Sequence, residues 1–366
     1  MIIKNGMVFQ EDKSFVKKTL YLKNGRIAST PLEESDEEMI DAEGLFVLPG
    51  LIDIHSHGAV GHDFSDGNIE GLKKILAYEY EHGITTYCPT SMTIEKDNLR
   101  NIFHTMRNWR DAKGLSHVAG IHMEGPFLDV TKKGAHREEC ILTPNIDFFK
   151  ECNDACGGKI RLITVAPNTE GALDFIQALK SEVVISLGHT AADYDTAKMA
   201  LEAGANHITH LYNAMNPLGH RTPGLIGAAS EKENCMAELI SDGIHVHPSM
   251  VRVAFKLFPE RIVLISDSMR ATGMENGTYE LGGQQVTVNG KLATLSDGTI
   301  AGSVTNLYDC MCTAVSCGIP IGEAIAAATM NPAKSIGIYH ETGSLTPGKR
   351  ADVILTDKDL HLVRVI

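Results

Sequence analysis

The sequence predicts an α/β protein: a TIM-like (β/α)8 barrel with a small β domain formed by both chain termini. Three observations point there. Eight short apolar runs alternate with amphipathic stretches along the middle of the chain. Those runs are continuously apolar, as parallel strands buried on both faces require. Both chain ends read instead as turn-punctuated β structure. The competing arrangement is an open doubly wound sheet. Against it, no GxGxxG follows the first strand, and polar residues close many runs rather than one switch point.

The N-terminal part of the β domain is expected over residues 1–47. "MIIKNGMVF" and "TLYLKNGRIAS" each carry Asn-Gly, at 5–6 and 24–25, which predicts hairpin turns. The acidic run "EESDEE", 33–38, reads as a solvated loop. The barrel is expected over 48–338. Its eight strands lie in "LFVLPGLIDIHSHG", "GITTYCPTSM", "HVAGIHMEGPF", "IRLITVAPN", "VVISLGHT", "HITHLYNAM", "CMAELISDGIHV" and "RIVLISDSM". "IEGLKKILAYEYEHG" (69–83) and "AADYDTAKMALEAG" (191–204) read as two of the intervening helices. Thr190 is placed to cap the second, and Gly204 to end it. Residues 276–302 predict β-hairpin excursions after the eighth strand, and helices near 305–317 and 321–337 complete the barrel. "GSLTPGKRADVILTDKDLHLVRVI" returns to β style, so 339–366 is expected to supply the rest of the β domain.

Composition narrows the function. Of 366 residues, 43% are hydrophobic and 22% charged, ordinary proportions for a soluble globular chain. A net charge of −13 argues against a general nucleic-acid binder, which carries a basic patch or excess. It leaves room for a small anionic ligand held by a few local cations. No apolar run reaches the ~18 residues of a transmembrane helix, and the N-terminus lacks the apolar core of a signal peptide. No membrane partner is expected, and the expected location is cytoplasmic. Eight cysteines match no paired CxxC zinc site and are expected as free thiols. Packing is preferred over metal binding for Cys152 and Cys156.

The last residues of the runs carry the chemistry. Strand one ends in His55 and His57, which as i, i+2 neighbours share one side of a strand. Strand three ends in Glu124, strand five in His189, strand six in His210 and strand eight in Asp267. Strand seven leads into Asp242 and His245. In a barrel these ends converge on the C-terminal face, where active sites lie. Each residue alone has a structural reading. His122 and His207 are read as core or supporting residues, and His62, His82, His104 and His117 as surface or loop residues. Together, histidines and carboxylates at so many strand ends suit zinc or a similar first-row divalent ion.

Taken in order, "LPGLIDIHSHG", "HMEGPF…KKGAHRE", "SLGHT", "THLYNAMNPLGHRTPGL", "DGIHVHP" and "ISDSMRATG" resemble the N-acetylglucosamine-6-phosphate deacetylase family of the amidohydrolase superfamily, over nearly the whole chain. HxH alone is unspecific; the ordered combination is specific. The resemblance implies a metal-dependent (β/α)8 TIM-like barrel, a small β-sandwich domain formed by both chain termini (1–47 and 339–366), and a hydrolase of amino-sugar catabolism. Such an enzyme cleaves the acetamide of N-acetyl-D-glucosamine 6-phosphate to D-glucosamine 6-phosphate and acetate. The alternatives are the N-acetylgalactosamine 6-phosphate epimer or another small amide. A non-catalytic scaffold would have lost ligands or the strand-eight aspartate, and all are present.

Residue by residue, the resemblance implies Glu124, His189 and His210 as principal metal ligands, with His55 and His57 holding a second ion that some members lack. One or two divalent ions are implied, zinc first, then iron, manganese or cobalt. Strand four has no lysine to bridge two ions, which leaves Glu124 as the bridge. Ser268 stands where the family often has alanine. Asp267 is implied as the base that takes a proton from a metal-activated water and returns it to the departing amine. His136 would help stabilise the oxyanion. Substrate contacts are implied for Ala135, His136, His245, Ile300, Ala301 and Gly302. Phosphate contacts are implied for the backbone N–H groups of Asn213 and Ala214 and for Arg221. The resemblance also implies a homodimer in which Arg221 reaches the neighbouring active site.

Overall fold

The structure, a computed structural model, describes residues 1–32 and 38–366. Residues 33–37, most of the acidic run, lie outside the described residues. The barrel strands are β1 (Leu51–Ser56), β2 (Ile84–Ser91), β3 (Ile121–Glu124), β4 (Ile160–Val165), β5 (Val184–Leu187), β6 (His207–Ile208), β7 (Met236–Ile240) and β8 (Ile262–Ile265). Each pairs in parallel with the next. A helix follows every strand, from Ile69–Glu81 after β1 to Pro248–Leu257 after β7 and Leu307–Ser316 after β8. The right-handed crossover geometry of βαβ units places such helices outside a closed barrel.

The ring closes between β1 and β8 through bonds at the mouth. Asp267 N–H donates to His55 O at 2.9 Å, and His57 N–H donates to Ser268 O at 2.8 Å. Side chains add a relay across the same seam. Tyr87 Oη donates to Ser56 Oγ at 2.7 Å, Ser56 Oγ lies 2.6 Å from Ser268 Oγ, and Ser268 Oγ donates to Gly58 O at 2.9 Å. A serine at 268 therefore pins the two strands that carry the HxH pair and Asp267.

β1 also carries a bulge. Tyr87 pairs with Asp53 and Pro89 with Ser56, so three steps on β1 oppose two on β2. Ile52 and Ile54 belong to an inner apolar cluster with Leu162, Ile240, Val263 and Ile265. Strict alternation would then turn His55 outward. The extra residue re-aims it into the barrel, a common use of a bulge beside a functional site. The i, i+2 relation between His55 and His57 holds beyond that point.

Two sheets built from both chain ends flank the barrel. One joins Arg26–Ile27, Leu20–Lys23, Ile2–Lys4 and Met39–Asp41; the other joins Leu362–Val365, Val353–Thr356, Phe46–Pro49, Met7–Phe9 and Phe15–Lys17. Ile3, Leu20, Leu22 and Ile27 of the first pack with Val8, Val47, Val353 and Leu355 of the second. Burying each such aliphatic side chain contributes about 1.5–3 kcal/mol. Asn24 and Gly25 (φ 53° and 71°) form the expected two-residue hairpin turn. Asn5-Gly6 does not: its flanking strands enter different sheets, and Gly6 lies where a Cβ would collide with Val47.

The hairpin excursion is a three-stranded antiparallel sheet, Gly277–Leu281, Gln284–Asn289 and Leu292–Thr294. The helix at Tyr194–Ala203 starts later than expected. Asp193 caps it by accepting from Thr196 N–H, and Thr190 Oγ1 donates to Asn168 instead. Gly204 ends it as expected. The cysteines are free thiols. No helix among the described residues is long and apolar enough to cross a membrane.

Candidate metal centre

A cavity of about 320 Å³ opens at the C-terminal face of the barrel, where this fold places ligands. It is lined by His57, Glu124, Ala135, His136, His189, His210, Asn213, Ala214, His245, Asp267, Ile300 and Gly302 from the expected set. His55 is fully buried just beneath. Ala301 is buried behind the wall rather than on it. Arg221 lies outside the cavity, exposed in a separate cleft with Asn216, Thr222 and Glu231.

Glu124 sits at the centre. Its Oε1 lies 3.1 Å from both His189 Nε2 and His210 Nε2, which are 3.0 Å from each other. These separations approach the roughly 3.3 Å edge of a tetrahedron built on ~2.0–2.1 Å zinc–ligand bonds. Oε2 turns the other way, 3.2 Å from His57 Nε2 and 3.3 Å from His136 Nε2. His57 Nε2 also lies 3.3 Å from Asp267 Oδ1, and His55 Nε2 lies 3.4 Å from Glu124 Oε1. The one carboxylate thus straddles two groups of nitrogens.

The outer nitrogens of these rings explain why the inner ones face inward. His189 Nδ1 is 2.9 Å from Lys132 O, His57 Nδ1 is 3.2 Å from Thr90 O, and His55 Nδ1 is 2.8 Å from Glu238 Oε2. An acceptor at Nδ1 holds the proton there and leaves the Nε2 lone pair free for a metal. His55 Nε2 is buried and makes no hydrogen bond. An unsatisfied buried nitrogen beside a carboxylate fits a divalent ion. Gly134 (φ 56°) brings the covering loop onto His189; a Cβ there would stand 3.2 Å from the ring.

The electrostatics favour positive charge at the centre. Burial opposes ionisation of Glu124, but the imidazoles of His55 and His136 and the bonds from His136 and His189 hold its carboxyl well below the usual range. Burial likewise raises the Asp267 carboxyl and His55 and His57 outweigh it, leaving it far below its ordinary value. Burial depresses His57, yet Asp267 and Glu124 lift it to about 10. Two ionised carboxylates in a buried pocket call for a cation, whether protons or a metal.

Backbone strain marks the same residues. His189, His210 and Asp267 adopt φ of 47°, 26° and 49°, in the left-handed region that non-glycine residues seldom occupy. Such conformations cost of order 1–3 kcal/mol each and persist where surroundings enforce them. Tyr212 and Ala214 are also left-handed, at 78° and 51°. The alternation at 210, 212 and 214 resembles the backbone of an anion-binding nest. The Asn213 N–H donates to His210 O at 2.9 Å. The Ala214 N–H makes no hydrogen bond among the described residues.

Some lining residues escaped the sequence. Met92 and Gly134 lie on loops, and Leu281 and Thr299 come from the hairpin excursion and the loop after it. Asp242 accepts from His245 Nδ1 at 2.7 Å and from two backbone N–H groups, so it orients His245. Glu238, buried inside the apolar run of β7, breaks the pattern of that strand and lies outside the residues expected at the site.

This arrangement, carboxylates and imidazoles gathered at the mouth of a parallel barrel, is that of a metal-dependent hydrolase. The amidohydrolase family model matches residues 46–365, and the chain belongs to that family. It is 36% identical over 379 residues to N-acetylglucosamine-6-phosphate deacetylase from Bacillus subtilis, covering 100% of this chain and 95% of that one. It is 33% identical to N-acetylgalactosamine-6-phosphate deacetylase from Escherichia coli O157:H7, covering 94% and 92%. Among solved structures it is similar to a mutant N-acetyl-D-glucosamine-6-phosphate deacetylase from Mycobacterium smegmatis in complex with N-acetyl-D-glucosamine-6-phosphate. That match has a TM-score of 0.93 and 31% identity, covering 100% of this chain and 97% of that one.

Proposed function

We propose that this chain hydrolyses the acetamide of N-acetyl-D-glucosamine 6-phosphate, releasing acetate and D-glucosamine 6-phosphate. The observation that carries the reading is the convergence of Glu124, His189 and His210 with Asp267 and His136 on one cavity. The names of the full-length relatives support the substrate class. Glu124, His189 and His210 would hold one divalent ion, and His55 and His57 with Glu124 a second. Zinc suits this donor set first, with iron, manganese and cobalt as alternatives. When bound, a divalent ion polarises a carbonyl and lowers the pKa of water towards ~7.

The chain's own groups do the rest. Asp267, ionised and at the cavity wall, accepts the proton of the attacking water and returns it to the leaving nitrogen. His136 is neutral, since burial pushes it down to about 4 against the pull of Glu124. Its Nε2–H donates to the developing oxyanion. His245, oriented by Asp242, contacts the sugar. The Ala214 N–H and the nest around it face the phosphate.

A sugar phosphate also needs a cation, and among the described residues no lysine or arginine lines the cavity. Arg221, exposed and outside its own subunit's cavity, would supply that charge to a neighbouring subunit in a homodimer. The galactosamine epimer is the second reading, favoured by the E. coli relative. Acetate release measured on both epimeric phosphates separates the two. Chelation should abolish turnover and a divalent ion should restore it; full activity in metal-free protein would refute the mechanism.

A further inference from the structure

Glu238 interrupts the apolar run of β7. Its side chain is fully buried inside the barrel, beneath the cavity rather than on its wall. It therefore touches no substrate. Oε2 lies 2.8 Å from His55 Nδ1 and accepts the His210 backbone N–H at 3.1 Å. Oε1 has no hydrogen-bond partner, with His207 Nδ1 3.8 Å away. A carboxylate is seldom buried in a barrel interior without a charge-complementary task.

His55, His122 and Glu238 bring donor atoms close enough to hold an ion of their own. His122 speaks against that. Its Nε2 is 2.8 Å from Thr164 Oγ1 and its Nδ1 is 3.2 Å from Ile54 O, so both ring nitrogens are used. His55 differs. With Nδ1 on Glu238, its Nε2 faces Glu124 Oε1 at 3.4 Å and Asp267 Oδ1 at 3.6 Å without making a hydrogen bond. The bulge turns the ring inward, and Glu238 is what meets it there.

We propose that Glu238 is the positioning residue of the second metal ion. By accepting the Nδ1 proton of His55, it fixes the tautomer whose Nε2 lone pair points at the gap between Glu124 and Asp267. The His210 amide anchors the accepting oxygen. The inference rests on the two-ion reading of the site given above. An outer carboxylate that orients a liganding histidine in this way typically changes metal affinity by 10–100-fold when lost.

Apoprotein titrated with Mn2+ against a competing chelator, with bound ions counted by elemental analysis, tests it without reference to turnover. Wild type should bind two ions. Glu238→Met removes the acceptor and should weaken only the second ion, by roughly 10–100-fold. Glu238→Gln keeps an oxygen but loses the charge, so a smaller loss confined to the same ion is expected. In a His55→Gln background, neither change should weaken ion binding further. Equal weakening of both ions, or none, would overturn the positioning role. If Glu238→Met fails to fold, the Glu238→Gln titration decides by the same criterion. A wild-type protein that binds one ion sinks the two-ion reading and this inference with it. Two ions bound with unchanged affinity in both wild type and variants sinks the inference alone.

Discussion

Thr93 donates its backbone N–H to Nδ1 of His136 at 3.2 Å. The donor leaves no choice of tautomer: a neutral His136 must carry its proton on Nε2, the atom that faces the cavity 3.3 Å from Glu124 Oε2. That makes His136 a hydrogen-bond donor, in contrast to His57 and His189, whose Nδ1 atoms face carbonyl oxygens.

The tautomer separates His136 from the ligands. His136→Ala should lower kcat by roughly 10²–10³-fold, the usual cost of one oxyanion donor. Metal content should stay at the wild-type value. Loss of metal in parallel with activity, read by elemental analysis, would instead make His136 a ligand.

Asp267 is the proposed proton carrier. Asp267→Asn keeps the size and one oxygen but removes the base. Metal content and substrate binding should survive while kcat falls by at least ~10². A metal-replete variant with near-normal turnover would contradict the role.

For Arg221, the readout is KM. Arg221→Ala should raise KM for the phosphorylated sugar and leave that for unphosphorylated N-acetylglucosamine nearly unchanged. Charge-assisted bonds of this type are worth roughly 1.5–3 kcal/mol, or about 10–150-fold. Mixing Arg221→Ala subunits with Asp267→Asn subunits should restore part of the activity in isolated heterodimers; no recovery there counts against a shared site.

His122 predicts a pH dependence of stability. Burial, with His55 and His207 adding to it, pushes its imidazole down to about 3, although Glu238 and Glu124 pull the other way. Between pH 6.5 and about 3 the unfolded chain binds a proton here that the folded chain does not. Stability from this residue is thus intact above pH 6.5 and falls on acidification, by about 1.4 kcal/mol per pH unit. Chemical denaturation of wild type and His122→Asn at pH 7.0, 6.0 and 5.0 should show a steeper slope for wild type. Parallel curves would mean that the ring is protonated in the folded protein.

The eight-unit barrel was legible because its signal is local. Apolar runs and helical stretches succeed one another along the chain, and no long-range contact is needed to see them. The residues closing those runs were legible for the same reason: Glu124 ends β3, His189, His210 and Asp267 follow the ends of β5, β6 and β8 by two residues, and parallel strands bring their C-terminal ends together. The Asn24-Gly25 hairpin was equally local, since both residues can adopt positive φ.

What failed depended on neighbours distant in sequence. Asn5-Gly6 has the same dipeptide, but packing against Val47 made it a corner between two sheets. Thr190 gave up capping because Asn168, from another loop, offered an acceptor. The HxH spacing set the relation of His55 to His57, while a one-residue slip in pairing with β2 set their direction. Glu238 shows the division most clearly. The sequence placed an acid in an apolar strand; only the barrel's curvature, which brings β7 to within 2.8 Å of His55, decided what that acid holds. Periodicity and strand ends are properties of the chain. Register, curvature and hydrogen-bond partners are set by the competition among all of its segments for the same buried donors and acceptors.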